Sequence, residues 1–124
     1  MNILPNQEKL YMHPYAHILL ILMHHVLVYL ERCVDEAPFG FVAKKPQSVS
    51  WIDIPHDIDE RYVDYLNRIV QTAKSGVYGV WMEIKSERGA KDVVVLTMFV
   101  RQKIPFWVVV PVTEPHRWWV ARDL

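Results

Sequence analysis

One cysteine, four glycines and no net charge set the first limits on this chain of 124 residues. Because Cys33 is alone, an internal disulfide and a cysteine-based zinc site are excluded, and a reducing compartment suits the thiol. An intracellular, cytoplasmic location is therefore expected. The glycines, at 40, 76, 79 and 89, are too dispersed to form a phosphate-cradling loop, which excludes nucleotide hydrolysis of the P-loop type. Fourteen basic residues balance fourteen acidic ones, so the chain has no general positive field, and an anionic partner would have to be met by a local patch. Asparagine and glutamine together number seven, a scarcity found in thermophile proteins, although five methionines run the other way. No apolar run is long. IleLeuLeuIleLeuMet at 18–23 stops at His24 and His25, short of the roughly 18 apolar residues that a spanning helix needs. It also lacks a preceding basic cluster and a following small-residue cleavage site, so neither a signal peptide nor a membrane partner is expected.

Apolar residues supply 52% of the chain and charged residues 23%, the balance of an ordinary globular domain, and the length suits one domain over 1–124. No repeat or low-complexity segment interrupts it. His13-Pro14 marks a helix start, and the helix is expected to run to about Glu36. At 100° per residue, His13, His17, His24, Glu31 and Asp35 form one narrow polar stripe. Leu19, Leu22, Met23, Val26, Leu30 and Cys33 take the far side, and Ile18, Leu20, Ile21 and Leu27 widen the apolar surface beyond what one sheet face covers. A second apolar surface is expected against it, either another helix or another copy of the chain.

Pro38, Gly40 and Pro46 punctuate a connection over 37–47, and Val49, Trp51 and Ile52 suggest a short strand before Pro55. Asp57 as cap, Glu60 three residues on and Gly76 at the far end predict a second helix over 58–75. From Tyr78 the period becomes two, giving a strand to Lys85, a hairpin loop at 87–91 and a central strand at 93–100. A further strand spans 104–112, and 118–120 adds an edge. The expected fold is α+β, two helices packed on a three- or four-stranded, mainly antiparallel sheet, with valine, at eighteen residues, the chief strand former.

Three patterns could carry chemistry. His13 and His17 have the four-residue spacing that lets two imidazoles meet one metal ion on a helix, and His56 and Asp57, beside Asp59 and Glu60, form a second metal-compatible group. The ordinary reading is a solvated histidine stripe and a helix N-terminus rich in acids, with no cofactor. Glu83-Ile84-Lys85, within TrpMetGluIleLysSer, resembles the E-x-K half-motif of restriction-endonuclease-like nucleases. In that family the carboxylate helps hold a divalent ion and the lysine assists the attacking water. The resemblance covers 83–112. No aspartate precedes Glu83 at the short hairpin distance, and the family has a helix where 93–100 reads as strand. Lastly, Arg101, Lys103, Trp107, Arg117, Trp118, Trp119 and Arg122 mix basic groups and indoles as single-stranded nucleic-acid surfaces do; the ordinary reading is that the tryptophans fill the core or a subunit interface.

The residues point first to a non-enzymatic interaction protein that associates with itself as a homodimer. Its interface would lie on Leu19, Leu22, Met23, Val26 and Leu30, or on an outer sheet face with Val95 and Phe99. A metal-dependent nuclease using Glu83 and Lys85 is the enzymatic alternative. A single-stranded nucleic-acid binder using Arg101, Lys103, Arg117 and Trp118 is the third.

Overall fold

The computed structural model describes residues 16–32, 38–45, 48–73, 75–100 and 105–121. A helix α1 (Ala16–Arg32) leads into a hairpin of β1 (Phe39–Lys45) and β2 (Ser48–Trp51). Helix α2 (Tyr62–Thr72) follows, then a meander of β3 (Ser75–Ser86), β4 (Gly89–Val100), β5 (Phe106–Pro111) and β6 (Trp119–Ala121). All six strands join one sheet in the order β2-β1-β3-β4-β5-β6, and every neighbouring pair is antiparallel. The class is α+β as expected, but the sheet has six strands and not three or four. All five strand segments read from the sequence, at 49–52, 78–85, 93–100, 104–112 and 118–120, enter this one sheet, and the sixth strand is β1, which lies where Pro38, Gly40 and Pro46 suggested a loop. Phe39, Phe41 and Ala43 alternate there and are buried, so a strand's period is present between the punctuating residues.

The two faces of the sheet are covered differently. Phe39, Phe41, Val77, Val94, Leu96, Met98, Val108 and Val110 share one face, and Leu19, Leu22, Met23, Val26 and Leu30 of α1 pack onto it as one buried cluster. On the opposite face α2 inserts Leu66 and Val70, one turn apart, against Ile52, with Val42, Tyr78 and Phe99 around them. The central strand β4 is therefore apolar on both sides, which accounts for its unbroken run of valine and leucine.

Helix α2 begins later than its sequence signals suggest. Asp57 lies in a turn, Glu60 lies outside the helix, and the capping position falls to Arg61, which makes no side-chain cap bond. The Glu60 carboxylate instead accepts from Arg68 Nη2, and Arg61 reaches forward to Asp64 at 3.0 Å. Nor does Gly76 end the helix. Thr72 Oγ1 and the Ala73 amide both donate to the Ile69 carbonyl, closing the last turn before β3 starts.

Gly76 has another purpose, shared with Gly40. Both lie in strands beneath α2, and a Cβ on Gly76 would stand 2.7 Å from the Phe41 carbonyl oxygen and 3.2 Å from both Val70 methyls. A Cβ on Gly40 would meet Ile52 Cδ1 at 2.8 Å and Leu66 Cδ2 at 3.0 Å. Bare backbone at these two points lets the helix sit close to the sheet. Gly89 follows the two-residue turn Glu87-Arg88 with φ of 115°, a conformation that L side chains rarely adopt. Overpacking beneath α2 should cost Gly76→Ala about 2 kcal/mol of stability, read as a lower urea midpoint with an unchanged denaturant slope.

Candidate functional site

β1 is shorter than β3, and this exposes the region of most interest. The pairing of β1 with β3 ends at Phe39–Gly79, whereas β3 continues to Ser86. On the other side β5 reaches β4 only as far as Val93–Pro111. Beyond those points β3 and β4 run on as a two-stranded ribbon closed by Glu87-Arg88, with nearly every residue from Met82 to Asp92 exposed. Met82 and Ile84 project from the α2 face of this ribbon and keep 48% and 39% of their surface in water. Large apolar side chains so placed differ from the rest of the meander, where alternate residues are buried on both sides.

The opposite face of the ribbon carries Glu83 and Lys85, with Lys85 Nζ 3.9 Å from Glu83 Oε1 and both side chains mostly solvated. Directly across from Glu83 lies Asp92, its register partner on β4. Like charges facing each other across a ladder are unfavourable, so Glu83 stands between a repelling carboxylate and an attracting ammonium group. No aspartate precedes Glu83 at short range; Asp92 follows it, across the turn. The loop expected at 87–91 would pair Ser86 with Asp92; the turn is instead the two residues 87–88, and this sets Asp92 opposite Glu83. The strand expected at 93–100 is indeed strand, not the helix of the resembled nucleases. Among the described residues, no group of three histidine, cysteine or acidic side chains is arranged to hold a metal ion.

The other candidates lie apart from one another. His17, His24 and His25 face solvent on α1, with His24 edge-on to His25 and His25 also against the Phe41 ring. His13 and Cys33 lie outside the described residues. His56 and Asp57 are exposed in the turn before α2, on a segment steadied by Tyr65 donating to the Asp53 carbonyl at 3.5 Å. Hydrogen bonding from Arg61 holds Asp64 below the usual carboxylate range, and Glu60 raises the Arg68 pKa by the same kind of bond. These pairs fasten the helix entry from its solvent side.

At the C-terminal end the indoles have gone inward. Trp118 is 6% exposed within the α1 cluster, so its ring offers no face to a stacked base. Trp107 and Trp119 are half-buried and cover Val93, Val95 and Val109 on the α2 side of the sheet. Arg117 is exposed and paired with Glu114 at 3.1 Å. Arg101, Lys103 and Arg122 lie outside the described residues. The residues expected at a dimer interface are likewise committed within the chain. Leu19, Leu22, Met23, Val26 and Leu30 are buried under α1, Val95 lies beneath the tryptophan pair, and Phe99 lies against α2.

One feature escaped the sequence reading altogether. Trp51, 42% exposed on the edge strand β2, rests 4.9 Å from the Tyr29 ring and 5.2 Å from Phe41, and Phe39 completes a box of aromatic rings. The pairing of β1 with β2 brings these residues together, so the missed β1 concealed the cluster. The chain matches no family model, no curated protein sequence and no solved structure.

The C-terminal arrangement is testable by stability. Trp118→Ala should remove roughly 4 kcal/mol, the loss for a core aromatic. Arg117→Ala should cost less than about 1 kcal/mol, as for an exposed ion pair. Thermal denaturation of the two variants measures the contrast.

Proposed function

We propose that this chain is a non-enzymatic interaction protein that associates with itself as a homodimer. The observation that carries the reading is the β3–β4 ribbon, where Met82 and Ile84 stay exposed beside a strand edge with no neighbouring strand among the described residues. An edge that no described strand pairs, with apolar side chains on one face, is a ready template for another strand, and the charges on it, Glu83 and Lys85, are opposite in sign and so can pair between two copies. The ladder from Val80 to Ser86 runs without a register shift. The apolar surface expected to drive association is thus proposed to lie on the ribbon instead of on α1, whose apolar side chains already fill the core.

A metal-dependent nuclease is the second reading, and the specific observation in its favour is Asp92 opposite Glu83. That pair would supply the two carboxylates for a divalent ion, with Lys85 3.9 Å from Glu83 to assist a water. The ribbon's exposure to water on both faces favours the first reading, because electrostatic stabilisation of a developing charge is weaker in bulk water than in an enclosed site.

Size-exclusion chromatography with light scattering should give a mass near twice the 14.7 kDa of one chain, unchanged by a short single-stranded oligonucleotide. A monomer overturns the proposal, and a gain of the oligonucleotide's mass replaces it with nucleic-acid binding. Plasmid cleavage that requires magnesium and is lost in both Glu83→Gln and Asp92→Asn would instead establish the nuclease.

A further inference from the structure

The hydrogen-bonding direction of every residue on the ribbon follows from two bonds elsewhere in the sheet. The Ile52 amide donates to the Gly40 carbonyl at 3.0 Å, so Gly40 points toward β2. Its neighbours Phe39 and Phe41 must then point toward β3, since successive residues of a strand alternate sides. Their partners Gly79 and Val77 are consequently the residues of β3 that face β1. Continuing the alternation, Trp81, Glu83 and Lys85 direct their amides and carbonyls to the open edge. The far side of the sheet agrees. The Val112 amide donates to the Asp92 carbonyl at 3.1 Å, which turns Asp92 toward β5 and leaves Glu83 facing away from β4.

The open edge is bounded as well as oriented. Phe39 occupies the lane beside Gly79, and from Val80 to Ser86 that lane holds no strand among the described residues. A second ribbon entering antiparallel, about a two-fold axis normal to the sheet, keeps its faces matched only if the axis passes through a residue position. An axis at Glu83 sets the two copies of Glu83 against each other and drives Glu87 into the place Phe39 already holds beside Gly79. An axis at Lys85 opposes the two lysines and sets Glu83 against Glu87. An axis at Ile84 sets Glu83 beside the partner's Lys85 and Lys85 beside the partner's Glu83. It also brings the turn residue Arg88 of each copy level with the other's Val80, one position beyond the Phe39–Gly79 pair. Axes farther out leave only the turns to pair. Charge excludes the axes at Glu83 and Lys85, space excludes the one at Glu83 a second time, and the Ile84 axis is the one that pairs Glu83 with Lys85 within the strand.

We infer that two copies of this chain join through the β3 edge in the register centred on Ile84, forming one continuous antiparallel sheet. The inference rests on the self-association reading and adds its interface. In this arrangement Glu83 and Lys85 of each copy form hydrogen-bonded pairs with their opposite numbers. Ile84 meets Ile84 across the axis as a non-hydrogen-bonded pair, the geometry that brings side chains closest. Lys85 of one copy lies in the same cross-strand row as Glu83 and Asp92 of the other, relieving the carboxylate repulsion within each ribbon.

The register has a charge signature that few other interfaces share. Glu83→Lys and Lys85→Glu each turn both cross-copy pairs repulsive and should raise the dimer dissociation constant by about tenfold. Mixing the two variants should restore association, because every pair across the axis is then opposite in sign. The double variant carrying both changes should dimerise like the original. In a Cys33→Ser chain, Ile84→Cys should form an intermolecular disulfide under mild oxidation, and Met82→Cys should not, being opposite Ser86 of the partner. Light scattering and non-reducing electrophoresis read these results, with far-UV circular dichroism to show that each variant is folded. If either charge variant loses its fold, the cysteine pair decides. A dimer that ignores the charge changes, or that fails to cross-link through position 84, overturns the register and leaves self-association standing. A monomeric unsubstituted chain overturns both.

Discussion

Much of this molecule depends on the register between β3 and β4. The two strands pair residue for residue from Ser75–Val100 to Ser86–Gly89 without a bulge. A slip of one residue would exchange the faces of Val77, Gly79 and Trp81 relative to Leu96 and Met98, taking Gly79 from beneath the Phe39 ring and Gly76 from beneath Val70. Both sides of β4 are buried, so its own composition cannot select the register. The selection comes from β3, where Gly76 and Gly79 alternate with larger residues, and from the short turn that Gly89 permits. Gly79 must lie against the Phe39 ring, because a Cβ there would come within 2.6 Å of it, and Gly76 must lie beneath Val70. These two contacts tie the ladder to β1 and to α2 at once.

The class of the fold was legible because its periods are clean. The valine run of β4 and the three-four spacing in α2 each reflect a burial pattern that the structure shows, whereas the alternation from Tyr78 to Lys85 marks a strand but not its burial, since Met82 to Lys85 are all exposed. Glycine was where reading by local signals failed. Gly40 looked like part of a loop and Gly76 like a helix terminator, yet both are strand residues chosen for what lies above them. A missing Cβ serves turns and close packing equally, and no window of sequence distinguishes the two before the partner is known. The helix start was misplaced for a related reason: Asp57 and Glu60 have capping chemistry, but Arg68 engages Glu60 from eight positions away.

The candidate surface was half legible. Glu83 and Lys85 were singled out by residue type, and their neighbours on an alternating strand follow from the period. That Met82 and Ile84 remain exposed could not be read, because exposure there results from the lengths of β1 and β5, strands that stop short of the ribbon. The tryptophans show the reverse case. Composition left Trp118 open to a surface or to a core, and the strands around it draw the ring into the core. Only tertiary context separates an indole that packs from one that binds.

The strand order also bears on how the chain reaches this state. From β3 to β6 each strand pairs with the next in sequence, and β1 pairs with β2, so these contacts close over short loops. The single distant junction is β1 with β3, which spans β2 and the whole of α2 before Phe39 can meet Gly79. Closing that long loop has the largest entropic cost in the sheet, and contacts of high sequence separation slow folding. The C-terminal meander and the N-terminal hairpin can therefore form early as separate pieces, with their union across β1 and β3 as the late, rate-setting event.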